Sequence, residues 1–173
     1  IILYESEPSY LIIMERKLII RNFGAIASAD IALKDFNIFI GEQGAGKSTV
    51  AKLITIFENS RDKVLKVDSD YLMTKFSEYN IISYFNPDSY ISYSSEQGDI
   101  TYEDGSFNFT FSYHSTSHNL YIPAERFFIS TFSRSIATLV LSKAPIPVTL
   151  LEFASFYEKA KNLFVNYQVP IFN

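Results

Sequence analysis

The sequence predicts an α/β fold, with mixed or antiparallel strands in its first two thirds and a helical segment in its last third. Three observations carry that expectation. A glycine-rich turn, Gly41 to Gly46, separates a short apolar run from a stripe of apolar residues at helical spacing. Runs that read as short strands lie on both sides of it. No glycine follows Gly105, and the last third carries a long helical stripe.

The elements follow in order. Lys17 to Phe23 and Ala27 to Leu33 read as strands joined by a tight turn at Gly24-Ala25. Phe36 to Ile40 is mostly apolar and predicts a short buried strand. Lys47 to Asn59 predicts a helix, because Val50, Leu53, Ile54 and Phe57 fall at i, i+3, i+4 and i+7. A second helix is expected from Ser69 to about Tyr79, with Leu72, Phe76 and Tyr79 on one face and Asp68 or Ser69 as its cap. Strand-like runs follow at Tyr90 to Tyr93, Asp99 to Tyr102, Phe107 to Tyr113 and Leu120 to Ile122. The stretch from Asn86 to Gly105 is rich in loop residues. Pro145 and Pro147 interrupt the helical third. Beyond them Phe153, Phe156, Tyr157, Ala160, Leu163 and Phe164 form an apolar stripe.

Composition narrows the possibilities. The chain of 173 residues is 47% hydrophobic and 16% aromatic, enough to build a core. It has no cysteine, which excludes disulfides, thiolate zinc sites and a cysteine nucleophile. A net charge of −4 argues against a generally basic nucleic-acid coat. The longest apolar run, Leu11 to Ile20, is broken by Glu15, Arg16 and Lys17, so no membrane span is expected. Glu5 and Glu7 sit where a signal peptide needs basic and apolar residues. The expected compartment is the cytoplasm, without a membrane partner.

Residues 41 to 48 read Gly-Glu-Gln-Gly-Ala-Gly-Lys-Ser, the full GxxxxGK[ST] pattern of a P-loop. Glycines let consecutive main-chain N–H groups converge on one anion with no Cβ in the way. The following helix adds the positive end of its dipole. Gly41, Glu42, Gln43, Gly44, Ala45, Gly46, Lys47, Ser48 and Thr49 are therefore the candidate nucleotide-binding residues. Lys47 supplies a charge to the β- and γ-phosphates and is the candidate catalytic residue. Ser48 supplies a hydroxyl for Mg²⁺, and Thr49 can bond an α-phosphate oxygen. The expected ligands are ATP and Mg²⁺.

Three stretches, Lys17-Leu-Ile-Ile-Arg-Asn-Phe-Gly24, Ile31-Ala-Leu33 and Phe36 through Thr49, resemble the N-terminus of SMC/RecF-type ATPases. These belong to the ABC-like branch of P-loop proteins, with the OLD-like and AAA-type bacterial ATPases. Leu120-Tyr-Ile-Pro-Ala-Glu-Arg126 is similar to a strand seen in such proteins, and to the stretch that carries the Q-loop in ABC ATPases. Ala124 stands where the glutamine would be, so Glu125 beside it is a Q-loop-like candidate; a structural ion pair with Arg126 is the plainer reading. The resemblance implies ATP hydrolysis coupled to homodimerisation through ATP-bound heads, acting on DNA or a partner protein. It divides the chain into 1–13, an extension or a genuine strand; 14–126, a P-loop ATPase N-lobe; and 127–173, a helical segment leading to a missing C-terminal lobe. Three departures stand out. No apolar strand ends in Asp-Glu: Val64 to Asp68 contains Lys66, and Thr149 to Glu152 begins a helix. No Leu-Ser-Gly-Gly signature is present. In some relatives a basic residue after Asn-Phe touches the nucleotide; Gly24 takes that place here. A P-loop small-molecule kinase and a non-hydrolysing nucleotide-gated binding module are the alternatives.

Other residues carry less. His114 and His118 lack a third ligand nearby and read as surface histidines. The tyrosines from Tyr84 to Tyr113 alternate with polar residues, as in a packed sheet. Arg61, Lys63, Lys66 and Lys75 read as a solvated face, with a DNA-facing patch as the alternative. Phe23 reads as core rather than as an adenine contact.

Overall fold

The computed structural model describes residues 16–60, 68–96, 98–111, 119–124 and 136–167. Side chains that alternate along a strand point to opposite faces, so an apolar-polar pattern closes a sheet on one side only. Strands β1 (Arg16–Phe23), β2 (Ile26–Leu33), β3 (Tyr90–Ser95), β4 (Gly98–Glu103) and β5 (Ser106–Phe111) form one sheet in the order β2-β1-β3-β4-β5. Every pairing in it is antiparallel, so the mixed alternative drops out for the described strands. The register keeps one face apolar throughout. Leu18 lies opposite Ile31 and Tyr93, Ile20 opposite Ile91, Ile100 opposite Phe109, and Tyr102 opposite Phe107. The other face presents Ser92 opposite Thr101 and Asp99 opposite Thr110, with Arg21 bound to Asp30 at 2.7 Å. The sheet reading of the tyrosine-rich stretch holds for Tyr93 and Tyr102, which are buried, whereas Tyr84 precedes the strands and is exposed. Phe23 is buried, as a core residue.

Helix α1 (Lys47–Asn59) lays Leu53, Ile56 and Phe57 on the apolar face, and α2 (Ser69–Glu78) adds Leu72 and Phe76. Phe76 is the hub, with ring centroids 4.9 Å from Phe85, 5.7 Å from Phe107 and 5.9 Å from Phe23. Asp68 caps α2 as expected, its carboxylate accepting from the Tyr71 amide at 2.9 Å. At the β4–β5 hairpin Asp104 and Gly105 both take positive φ, which suits the right-handed twist of the strands they join. Helices α3 (Ile136–Leu141) and α4 (Val148–Tyr167) follow, α4 starting directly after Pro147. Among the described residues no helix is long and apolar enough to cross a membrane.

Two expectations are corrected. Phe36 to Ile40 is not a buried strand: it has no ladder partner among the described residues, and Phe36, Ile38 and Ile40 are exposed. The cause is local. The Asn37 side chain accepts from the Lys34 amide and donates to the Lys34 carbonyl, which turns the chain away from the sheet. Leu120 to Ile122 likewise forms no strand. The stripe on α4 is helical as expected, and Phe156, Tyr157 and Leu163 on it are exposed; Thr149 and Ala154 are the buried positions among the described side chains of α4. Residues 1–13, Arg61, Lys63, Lys66, His114, His118 and the end of the Phe107 to Tyr113 run lie outside the described residues.

Candidate functional site

The glycine-rich turn opens α1 beside the outer edge of β2, which has no ladder partner among the described residues. Gly44 and Gly46 have φ of 83° and 89°, in the left-handed region that side chains resist. At Gly46 the need for glycine is double. A Cβ there would lie 2.5 Å from Ile26 Cγ1, so a missing side chain lets the turn seat against the start of β2. The turn itself is closed by the Ala45 amide donating to the Glu42 carbonyl at 3.3 Å. Helix α1 starts with the Val50 amide on the Gly46 carbonyl, with no side-chain cap and no acidic residue in its first turn. Its leading amides are therefore left for an external acceptor or water.

Lys47 folds back over the turn, its ammonium donating to the carbonyls of Gly41 at 2.8 Å and Glu42 at 2.5 Å. The Ser48 side faces solvent at the head of the helix, whereas Thr49 is buried. Gly41 to Ala45 are exposed. A groove of about 450 Å³ runs from this turn along β2, lined among others by Ala27, Ala29, Ile38 and Val50. The structure thus brings Gly41 through Thr49 together in one continuous turn. Glu125 lies outside the described residues, although the segment before it is placed. Asn59 holds that segment, donating to the Asn119 carbonyl at 2.8 Å and accepting from its amide at 2.6 Å. Of the two runs that fall short of an apolar strand ending in Asp-Glu, one ends at Asp68, which is engaged as a helix cap, and the other at Glu152, which lies on α4.

The sequence did not point to the groups that hold α1. Glu58, in its last turn, is only 7% exposed, accepts a hydrogen bond from the Tyr93 hydroxyl, and has Arg16 Nη1 3.6 Å away. Lys52 donates to the Tyr79 carbonyl at 2.8 Å. Glu58 carried a readable signal, since it follows Ile54 by one turn on the apolar stripe. On α2, Lys75 meets Glu78 at 2.6 Å and Glu152 at 4.0 Å. Desolvation works against its charge, but the hydrogen bond and charge of Glu78, with Tyr71 and Glu152, hold the ammonium above its usual range. Burial and then Glu152 push the Tyr79 phenol upward too; its hydroxyl donates to Glu152 at 3.4 Å.

An antiparallel sheet carrying two helices on one face, with a glycine-rich turn heading the first helix, marks an α/β domain built around that turn. A family model described as the AAA ATPase domain matches residues 14–164, and the chain belongs to that family. The matched span takes in the whole sheet, α1 to α3 and most of α4. No curated protein and no solved structure matches the chain. Among the described residues no group of three histidine or carboxylate side chains could hold a metal ion.

Proposed function

We propose that this chain is the ATP-binding part of an ATPase of SMC/RecF/OLD character, with the triphosphate at Gly41 to Thr49. The observation that carries the reading is the uncapped head of α1, reached through the left-handed Gly44 and Gly46 and crossed by the Lys47 ammonium. Such a head offers several N–H donors and a positive dipole to one anion. Lys47 exchanges the Gly41 and Glu42 carbonyls, in whole or part, for phosphate oxygens. A bound Mg²⁺ would neutralise phosphate charge. Ser48 would offer that hard cation one oxygen donor, beside oxygens of the nucleotide and of water. The protein's share of any phosphoryl transfer is placement and electrostatics.

Hydrolysis, pairing of ATP-bound heads, action on DNA or a partner protein, a Q-loop-like role for Glu125 and work in the cytoplasm belong to the same proposal. The sequence contains no apolar run ending in Asp-Glu, so binding, not turnover, is the activity expected of residues 1–173 themselves. The test is a titration with a fluorescent ATP analogue and Mg²⁺. Lys47→Ala is expected to weaken binding about 10- to 100-fold, the worth of a lost charge-assisted hydrogen bond. If wild-type protein shows no saturable binding, or Lys47→Ala binds equally well, the reading is wrong.

A further inference from the structure

The approach to the turn lies off the sheet, so no ladder of main-chain hydrogen bonds among the described residues fixes residues 36–40. Phe39 packs against the core from within that run, and a polar side chain ties its start to the sheet. Arg16, the first residue of β1, places Nη2 3.3 Å from Asp35 Oδ1 and Nη1 3.6 Å from Glu58 Oε1. Asp35 stands just ahead of the off-sheet run that leads into Gly41. Glu58 closes the last turn of the helix that leads out of Thr49. One planar guanidinium therefore spans both ends of the unit that carries the turn, a geometry that a fork of fixed donors suits and a point charge does not. At the far side Tyr93 donates to the same Glu58 oxygen, which anchors the clamp in the middle of the sheet.

We propose that Arg16 is a positioning residue for nucleotide binding, holding the approach to the turn and the helix after it in fixed relation through Asp35 and Glu58. This rests on the ATP-binding reading above. Arg16 acts through these two carboxylates on the turn's geometry, and so on how closely the Gly41 carbonyl, the Lys47 ammonium and the head of α1 are held together.

Asp35 makes the clean probe, because it is fully exposed and its loss leaves no buried charge behind. Asp35→Asn is expected to keep the wild-type melting temperature yet weaken Mg²⁺-nucleotide binding about 2- to 5-fold, with Asp35→Glu recovering most of it. In 1 M NaCl the difference between wild type and Asp35→Asn should vanish, since that arm of the clamp is screened. Amide hydrogen exchange on the nucleotide-free protein gives an independent readout. Residues 36–46 should exchange faster in Asp35→Asn and in Arg16→Lys, with β3 and β4 unchanged. If wild type binds nucleotide and Asp35→Asn binds equally with unchanged exchange at 36–46, the positioning role is overturned while ATP binding stands. If wild type does not bind, both readings fail as functions, and the exchange data alone report whether the clamp is real.

Discussion

Gly44 and Gly46 share a backbone conformation but not a setting. A Cβ on Gly44 meets nothing within 4 Å, whereas one on Gly46 runs into Ile26. Gly44→Ala should therefore cost only the left-handed strain, about 1 kcal/mol. Gly46→Ala adds a clash against β2 and should cost about 2 to 4 kcal/mol, read as a shift in urea midpoint at constant slope. Equal losses at the two sites would mean that the contact with Ile26 is not made. Tyr93 offers a second residue-level test. Removing its hydroxyl leaves the buried Glu58 short of a donor, so Tyr93→Phe should lose about 1 to 3 kcal/mol although it keeps the ring that stacks on Phe57. The GxxxxGK[ST] turn was legible residue by residue, because its chemistry is written in consecutive positions. The Arg16, Asp35 and Glu58 set was not. Its members are far apart in sequence, and only the β1 register and the length of α1 bring them together.

Among the elements, α1, α2 and the five strands match their patterns to within a residue or two, because each has one face that must be buried. Phe36 to Ile40 and the α4 stripe show where periodicity stops informing. An apolar face states that it needs a cover, not that a cover is near, and Asn37 diverts one of these faces from the sheet while α4 leaves much of the other exposed. Part of what attaches α4 is polar: Glu152 reaches the Tyr79 hydroxyl and the Lys75 ammonium. Both partners have folded-state pKa values above their usual ones. Below about pH 10 the phenol is neutral and the ammonium charged in both states, so the junction keeps its full strength. Above that the unfolded chain releases protons that the folded one retains, and stability falls as pH rises. Thermal melts from pH 8 to 11 should show this decline. Tyr79→Phe should make it shallower, and an unchanged slope would remove Tyr79 as a cause.

For the molecule as a whole, the polar face of the sheet and the exposed apolar run at 36–40 make opposite demands on water. Phe36→Ser with Ile38→Ser should change stability by less than about 0.5 kcal/mol, since both side chains are already exposed. Light scattering at rising concentration should show less self-association for that double variant, because an exposed apolar strip beside a strand edge with no ladder partner among the described residues is an association hazard. The strand order also dictates how the chain can reach its native state. Strands β3, β4 and β5 are sequential neighbours, and such hairpins close within about 1 to 10 μs. Joining β1 to β3 instead requires that everything from residue 34 to residue 89, the glycine-rich turn included, be looped out first. The meander is thus expected to gain protection early in pulse labelling, and the turn to take its working shape only when the last long loop closes.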